Sequence, residues 1–521
     1  MPTSEENKIS NKTPDKISDL FPDTATPLAV KATYTDELVI ALCGPIGSPL
    51  HKVGDAIKKI LETDFEYNCK VIKLSGIIEK YAGTAPDSSK YERIKYLIDK
   101  GNALREKYGK SILADLAISE IAAKRPQTTN TFGAKRFVSQ RVCHVIDSIK
   151  NQEELEALKS VYREALYFIG VSSPVLVRQS NLEKQPMTLP EVYNLMDRDS
   201  GEEVAHGQTV RETFPHADFF LGLDSGSDPQ LSFKIKRFLN IIFGAEIETP
   251  SHGETAMYLA SSAAGNSACL SRQVGAAITD EKGEIISVGW NDVPKFGGNL
   301  YQYLPDEDAQ KLHDKRCVHM EGGKCFNDIE KRLIATEIVN ELEISGVLKE
   351  DAKNQAINAV LSSKIKNLIE FSRSIHAEMH AIIMGSQMAG TRVKGGILYC
   401  TTYPCHSCAR HIIVAGIKEV YYIEPYRKSL ATKLHEDAIT AIADMESEVK
   451  KVRILSFDGV APSRYLKMFR MKTDSRKDVD GKLITIDRKR ATPMYEVSLE
   501  SLPALEAIVV NHLAAKNLIP V

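Results

Sequence analysis

Glu37-Leu-Val-Ile-Ala-Leu-Cys43-Gly-Pro-Ile-Gly47-Ser48 is the stretch whose reading decides the architecture. Residues 37–43 form a short apolar, β-rich run, which predicts a strand. A turn bearing Gly44 and Gly47 follows at once. Residues 52–61 then place Val53, Ile57, Ile60 and Leu61 on one helical face. Strand, glycine-bearing turn and helix open an α/β nucleotide-binding layer. Further strand candidates lie at 69–74, 141–146, 166–171 and 218–221, with helical stretches between them and a closing helix at 231–243. That alternation predicts a largely parallel sheet with helices on both faces.

A second alternation begins after Thr249-Pro250-Ser251-His252-Gly253. Residues 257–267 read as a helix, and 274–279 with 284–290 as a strand pair joined by a turn at 280–283. A long insertion, 296–370, is helical in its second half. Then come a helix at 374–387, a strand at 396–401, a helix at 405–415, a strand at 420–423 and a helix at 430–443. The expected organisation is therefore a polar, disordered leader (1–36), a three-layer α/β/α domain (37–248) and a second α/β/α domain (249–475). The charged, weakly patterned tail (476–521) is assigned no fold.

Composition bounds the function. A chain of 521 residues is too long for one ordinary core. With 67 Lys+Arg against 69 Asp+Glu, the net charge of -2 excludes a global basic field of the kind that gathers nucleic acid. No apolar run is long enough for a bilayer, and the leader lacks a secretory segment, so the expectation is a cytoplasmic protein with no membrane partner. The cysteine count of nine is odd, and two of them sit in Cys405-x-x-Cys408, which favours thiols and metal ligation over a disulfide framework.

The chemistry concentrates in His376-Ala-Glu378 and Pro404-Cys405-His-Ser-Cys408. Cys405 and Cys408, three apart at a helix start, share one face, and the positive helix end favours their thiolates. His376 supplies a nitrogen from a separate helix. Three protein ligands on zinc (Zn2+) leave a fourth position for water, the arrangement of a catalytic site. Glu378 is not needed as a ligand. It is placed to accept a water proton and pass it to a ring nitrogen and a departing amine. This is the His-x-Glu…Pro-Cys-x-x-Cys pattern of zinc nucleobase deaminases. The alternatives are a structural zinc without catalysis, or a packed histidine beside ordinary thiols.

Here the chain resembles a family. His376-Ala-Glu378-Met-His380-Ala-Ile, Cys400-Thr-Thr-Tyr403-Pro404-Cys405-x-x-Cys408, Cys269-x-x-Arg272-Gln-Val274-Gly275-Ala276 and Ser287-Val-Gly289-Trp290-Asn291-Asp-Val-Pro294 look like the dCMP deaminase branch of the cytidine deaminase fold. The third motif is one residue shorter than its commonest spacing. The resemblance implies that Asn291 meets the deoxyribose hydroxyl, that Arg272 lies near phosphate, and that Tyr403 lies in the substrate site. Where many relatives carry Asn, this chain has His380, expected to be a hydrogen-bonded helix-face residue, the alternatives being an extra metal ligand or a residue that supports the ligands from behind. Fusion of a P-loop-kinase-like domain to such a deaminase resembles the bacterial anti-phage dCTP deaminases, as do Tyr422-Ile-Glu-Pro425-Tyr426-Arg-Lys428-Ser429 and Phe457-Asp-Gly459-Val-Ala-Pro462-x-x-Tyr465. That resemblance implies depletion of dCTP during infection, a homo-oligomer, and an inhibitory RNA or protein partner. Lys428, Ser429, Arg464 and Lys467 are further phosphate candidates. The insertion's His313, Cys317, His319 and Cys325 read either as a second, structural zinc site or as a loop with thiols.

In the first domain Gly44, Gly47 and Ser48 can aim backbone N–H groups at phosphate. Pro49 and Leu50 stand where a Walker A sequence needs Gly-Lys, so phosphoryl transfer is not expected. Arg198 and Arg211 resemble lid arginines of nucleotide kinases. The domain is expected to be either a sensor for a regulatory nucleotide or purely structural. Two other functional readings stay open: an RNA- or single-stranded-DNA-editing deaminase, and a non-catalytic nucleotide sensor.

Overall fold

In the computed structural model the fold is mixed α/β, with two six-stranded sheets of largely parallel strands. The structure describes residue 30 and residues 33–129, 135–184, 187–199, 208–223, 230–425, 429–441, 450–471 and 476–520. The leader of the sequence reading lies almost wholly outside them.

The first sheet is built on β1 (Leu38–Cys43), β2 (Asn68–Lys73), β3 (Val142–Asp147), β4 (Leu166–Ser172) and β5 (Phe219–Gly222). β1 is central, flanked in parallel by β3 and β4, with β2 and β5 parallel beyond them. Every residue of β1, β3 and β4 is buried, as expected of strands covered on both faces. Helix α1 (Leu50–Asp64) seats Val53, Ile57 and Leu61 with no exposed surface. After β4 come α2 (Leu189–Asp199) and the single turn α3 (Val210–Thr213).

The second sheet starts from α4 (His252–Ala264), β6 (Gly275–Thr279) and β7 (Ile285–Trp290). It continues with α5 (Ala377–Ala389), β8 (Ile397–Thr402), α6 (His406–Val414) and β9 (Glu419–Glu424). β6 pairs antiparallel with β7 and β8, and β8 and β9 run parallel. Two glycines permit the close layers. A Cβ on Gly275 would stand 1.8 Å from the Ala260 carbonyl of α4, and one on Gly289 would stand 2.4 Å from the Ala381 amide of α5.

Three findings depart from the sequence expectations. The helix expected over 430–443 is only Ala431–Leu434; the chain then forms β10 (Ile439–Thr440) beside β11 (Val452–Ser456), because Ile439 gains a fully covered place in the sheet. Second, the next strand, β12 (Gly459–Val460), returns to the first sheet and pairs antiparallel with β5. Third, the tail expected to be without fold carries α7 (Ser501–Ala515), which buries Leu502 and Leu513 in the first sheet's core. There Glu506 meets Arg125, which also binds Glu37, all three nearly without exposure. The charge that marks the tail is confined to its first part, and an apolar run follows.

Candidate active site

Both chemical motifs sit at helix N-termini. His376 occupies the N-cap of α5 in extended conformation, and Glu378 lies in that helix's first turn. Cys405 is the N-cap of α6, its sulfur accepting the Cys408 amide. The two helices bring His376 Nδ1 within 3.3 Å of each sulfur. All three ligand atoms lie within 4.8 Å of one another, the one such His/Cys/Asp/Glu group among the described residues. For a tetrahedral ion about 2.0 Å from nitrogen and 2.3 Å from sulfur, the N···S edge is about 3.5 Å. The spacing therefore suits a metal ion.

The electrostatics of the group are those of a thiolate beside a protonated imidazole. The Cys405 thiol is drawn down to about 4, first by its hydrogen bond with Cys408 and then by His376. Burial pulls His376 down, but Cys405 and Glu378 outweigh it and leave the imidazole at about 9. Glu378 is buried, and that burial raises its carboxyl against the pull of His376. A carboxyl so raised is suited to carry a proton in either direction.

Above this group opens a cavity of about 330 Å³. His376, Glu378 and Cys405 line its floor; Asn291, Arg272 and Tyr403 line its sides. Asn291 is braced, its Oδ1 accepting the Val274 amide at 2.7 Å and its Nδ2 donating to the Arg272 carbonyl at 2.8 Å. Arg272 pairs with Glu424 at 2.9 Å, and the Tyr403 hydroxyl is 3.3 Å from that of Thr432. The sequence reading missed Lys366, Ser374 and Thr402, which also line the cavity. Thr402 lies within the Cys400–Cys408 motif, whereas Lys366 and Ser374 are ordinary polar residues outside any motif.

His380 stands where the sequence suggested. Its Nδ1 accepts the Trp290 amide at 3.2 Å, which leaves Nε2 as the donor to Asn299 Oδ1, also at 3.2 Å. Of the other phosphate candidates, Arg464, Lys467 and Ser429 do not line the cavity. Arg464 pairs with Asp218 at 2.6 Å, Lys467 with Glu164, and Ser429 donates to the Pro404 carbonyl at 2.7 Å. Lys428 lies outside the described residues. Of the insertion's four candidate ligands, Cys317 and Cys325 line a narrow cavity with Cys269, whereas His319 faces Asp314 at 3.3 Å.

The kinase-like residues separate. Gly44, Gly47 and Ser48 form the turn after β1, but an internal carboxylate meets it. Asp199 Oδ2 accepts the Ile46 amide at 2.7 Å, and Lys150 Nζ binds both Asp199 Oδ1 (2.8 Å) and the Gly44 carbonyl (2.7 Å). Arg198 pairs with Asp99. Arg211 lies elsewhere: it lines the cavity above Glu378.

Comparison with known proteins agrees with this geometry. A family described as the cytidine and deoxycytidylate deaminase zinc-binding region matches residues 250–424. The deoxycytidylate deaminase of Enterobacteria phage T4 is 29% identical over 167 residues, covering 31% of this chain and 72% of that protein. ComE operon protein 2 of Bacillus subtilis is 43% identical over 76 residues, covering 14% and 40%. Human deoxycytidylate deaminase is 46% identical over 48 residues, covering 9% and 25%. The chain is a hydrolytic deaminase. Among the described residues no helix is long and apolar enough to cross a membrane.

Proposed function

We propose that the chain is a zinc-dependent deaminase that converts a deoxycytidine nucleotide, dCTP before dCMP, to the deoxyuridine nucleotide and ammonia. The observation that carries the reading is a buried carboxylate, Glu378, on the floor of one cavity with His376 and Cys405, which group with Cys408 behind them. Zinc, when held by those three residues, supplies a Lewis acid that makes water acidic near neutral pH. Glu378 takes one water proton and delivers it to the pyrimidine N3, then carries the second, from the new C4 hydroxyl, to the amine. The water oxygen bonds to C4, the C4–N bond breaks, and ammonia leaves. The second Nδ2 hydrogen of Asn291, unspent on the Arg272 carbonyl, is the donor for a sugar hydroxyl. Arg272 is the phosphate ligand nearest that sugar.

The first domain, in this reading, senses a nucleotide and transfers no phosphoryl group. Its turn lacks the Gly-Lys pair, and Asp199 holds the amide that a phosphate would take. Depletion of dCTP during phage infection is the role that the domain fusion supports.

Purified protein is incubated with dCTP, dCMP, CTP, CMP and a cytidine oligonucleotide, with and without ATP, GTP and dTTP, and ammonia is measured. Ammonia from the deoxynucleotides is the expected result. Glu378→Gln keeps the metal and the fold while kcat drops by about 10³, the middle of the range for a lost general acid–base. Native turnover in that variant would overturn the mechanism.

A further inference from the structure

The cavity over Glu378 is not built by the deaminase-like segment alone. Arg211 lines it from α3 of the first domain, thirty-nine positions before the matched region begins (250 minus 211). The placement is held from behind. Val210 and Thr213 are buried; the Thr209 amide donates to the Lys150 carbonyl at 2.8 Å, and the Thr213 hydroxyl donates to the Thr209 carbonyl at 2.9 Å. The turn Phe214–His216 that follows lies against β9 of the second sheet. The next strand, β5, pairs with β12, which returns from the second sheet.

Charge says what such a cavity takes. Arg211, Arg272 and Lys366 line it against the single carboxylate of Glu378. Arg272 is already shared with Glu424. Among the described residues neither Arg211 nor Lys366 pairs with a carboxylate. A nucleoside monophosphate dianion is answered by Arg272 and Lys366, which leaves the Arg211 guanidinium over. A triphosphate uses all three, and a guanidinium fork suits phosphate oxygens better than any other side chain.

We propose that Arg211 is a specificity-determining residue that clamps the distal phosphates of the nucleotide being deaminated, so that the first domain completes the deaminase site and selects a deoxycytidine triphosphate. The proposal rests on the deaminase reading. A backbone-binding role toward an oligonucleotide is the competing use of the same cation.

The test uses the full-length, zinc-loaded chain. In a Glu378→Gln background, binding of dCTP, dCMP and a short cytidine oligonucleotide is measured by calorimetry, with Arg211 intact or changed to Ala, Gln or Lys. In the otherwise native chain, kcat/KM is measured for dCTP and dCMP. Zinc content and melting temperature show that each variant folds; if the Ala form does not, Gln and Lys decide. Arg211→Ala should cut the dCTP-over-dCMP preference by about tenfold to a hundredfold, the range for losing a charge-assisted fork, with Lys between. An unchanged preference, equal loss on both nucleotides, a parent that binds dCMP as well as dCTP, or oligonucleotide binding that falls instead would each overturn the proposal. Absence of ammonia release from every deoxycytidine nucleotide by the parent chain would sink the deaminase reading separately, while the binding series still answers for Arg211.

Discussion

Glu254 joins the two sheets, and its removal has a calculable cost. The residue caps α4 in a capping box with Ser251, and its carboxylate is buried. One oxygen accepts Arg237 Nη1 at 2.9 Å and the Val460 amide of β12 at 2.8 Å. The other accepts Arg237 Nη2 at 2.7 Å and the Ser251 amide at 2.7 Å. Glu254→Ala leaves the Arg237 guanidinium, in a largely covered site, with Glu248 at 3.6 Å as its remaining carboxylate. Breaking a buried pair costs about 3–5 kcal/mol, at the low end here because Arg237 keeps the Thr249 carbonyl at 3.0 Å. The exposed Ser251 amide recovers water, whereas the buried Val460 amide does not, adding about 1 kcal/mol. The sum is about 4 kcal/mol, close to three decades in a local opening equilibrium. Hydrogen exchange at Val460 reads this directly: its amide should exchange about a thousandfold faster in Glu254→Ala. The dCTP-over-dCMP preference should fall too, since β12 pairs with the strand that follows Arg211. Exchange at Val460 within about tenfold of the parent would refute the reasoning.

Two further outcomes follow from buried ionisable groups in the first domain. Burial first, then Lys70, Arg125 and Lys124, hold His144 down at about 3. The unfolded chain protonates near pH 6.5 and the folded chain does not, so this stability is full above that value and lost as pH falls toward 3, by about 2 kcal/mol at pH 5. His144→Leu should therefore lose less in melting temperature between pH 7 and pH 5 than the parent, by about 4–8 °C; equal losses would rule the histidine out. Glu506→Ala leaves Arg125 with Glu37 alone and detaches α7 by about 3 kcal/mol. Limited proteolysis should then cut the chain near residue 500, and an uncut variant would contradict the role given to α7.

What the sequence made legible was whatever depends on local pattern. The 37–48 run announces its strand and turn because β1 is buried on both faces and must be apolar throughout. His376, Glu378, Cys405 and Cys408 are readable because each pair is fixed within one helical turn. Gly275 and Gly289 stand in recognisable motifs for a steric reason, the contact distances of α4 and α5. What stayed hidden depends on distant partners. β12 has two residues and no periodicity of its own; Gly459 is required there because a Cβ would sit 2.8 Å from the Glu254 side chain. Nothing near Asp199 tells that it meets the Ile46 amide, 153 positions away. The chain around Arg211 looks like a kinase lid until the fold turns that arginine toward another domain's cavity.

The division between the matched segment and the rest has a chemical meaning. Residues 250–424 contain His376, Glu378, Cys405 and Cys408, so in the proposed reading the bond-breaking apparatus falls inside the matched segment. Arg211 precedes that segment, and Val460, which Glu254 pins, follows it. Deaminating a cytosine ring needs only the floor of the cavity, because C4 and N3 are the same in a base, a nucleoside or a triphosphate. Discriminating among them needs charge placed several bonds from the reacting carbon, at the cavity's rim. In the proposed reading, a rim built from flanking segments changes substrate choice without disturbing the residues that would hold the metal. It also makes substrate choice depend on how the first domain is seated. A perturbation confined to the first domain should accordingly move KM and nucleotide preference ahead of kcat.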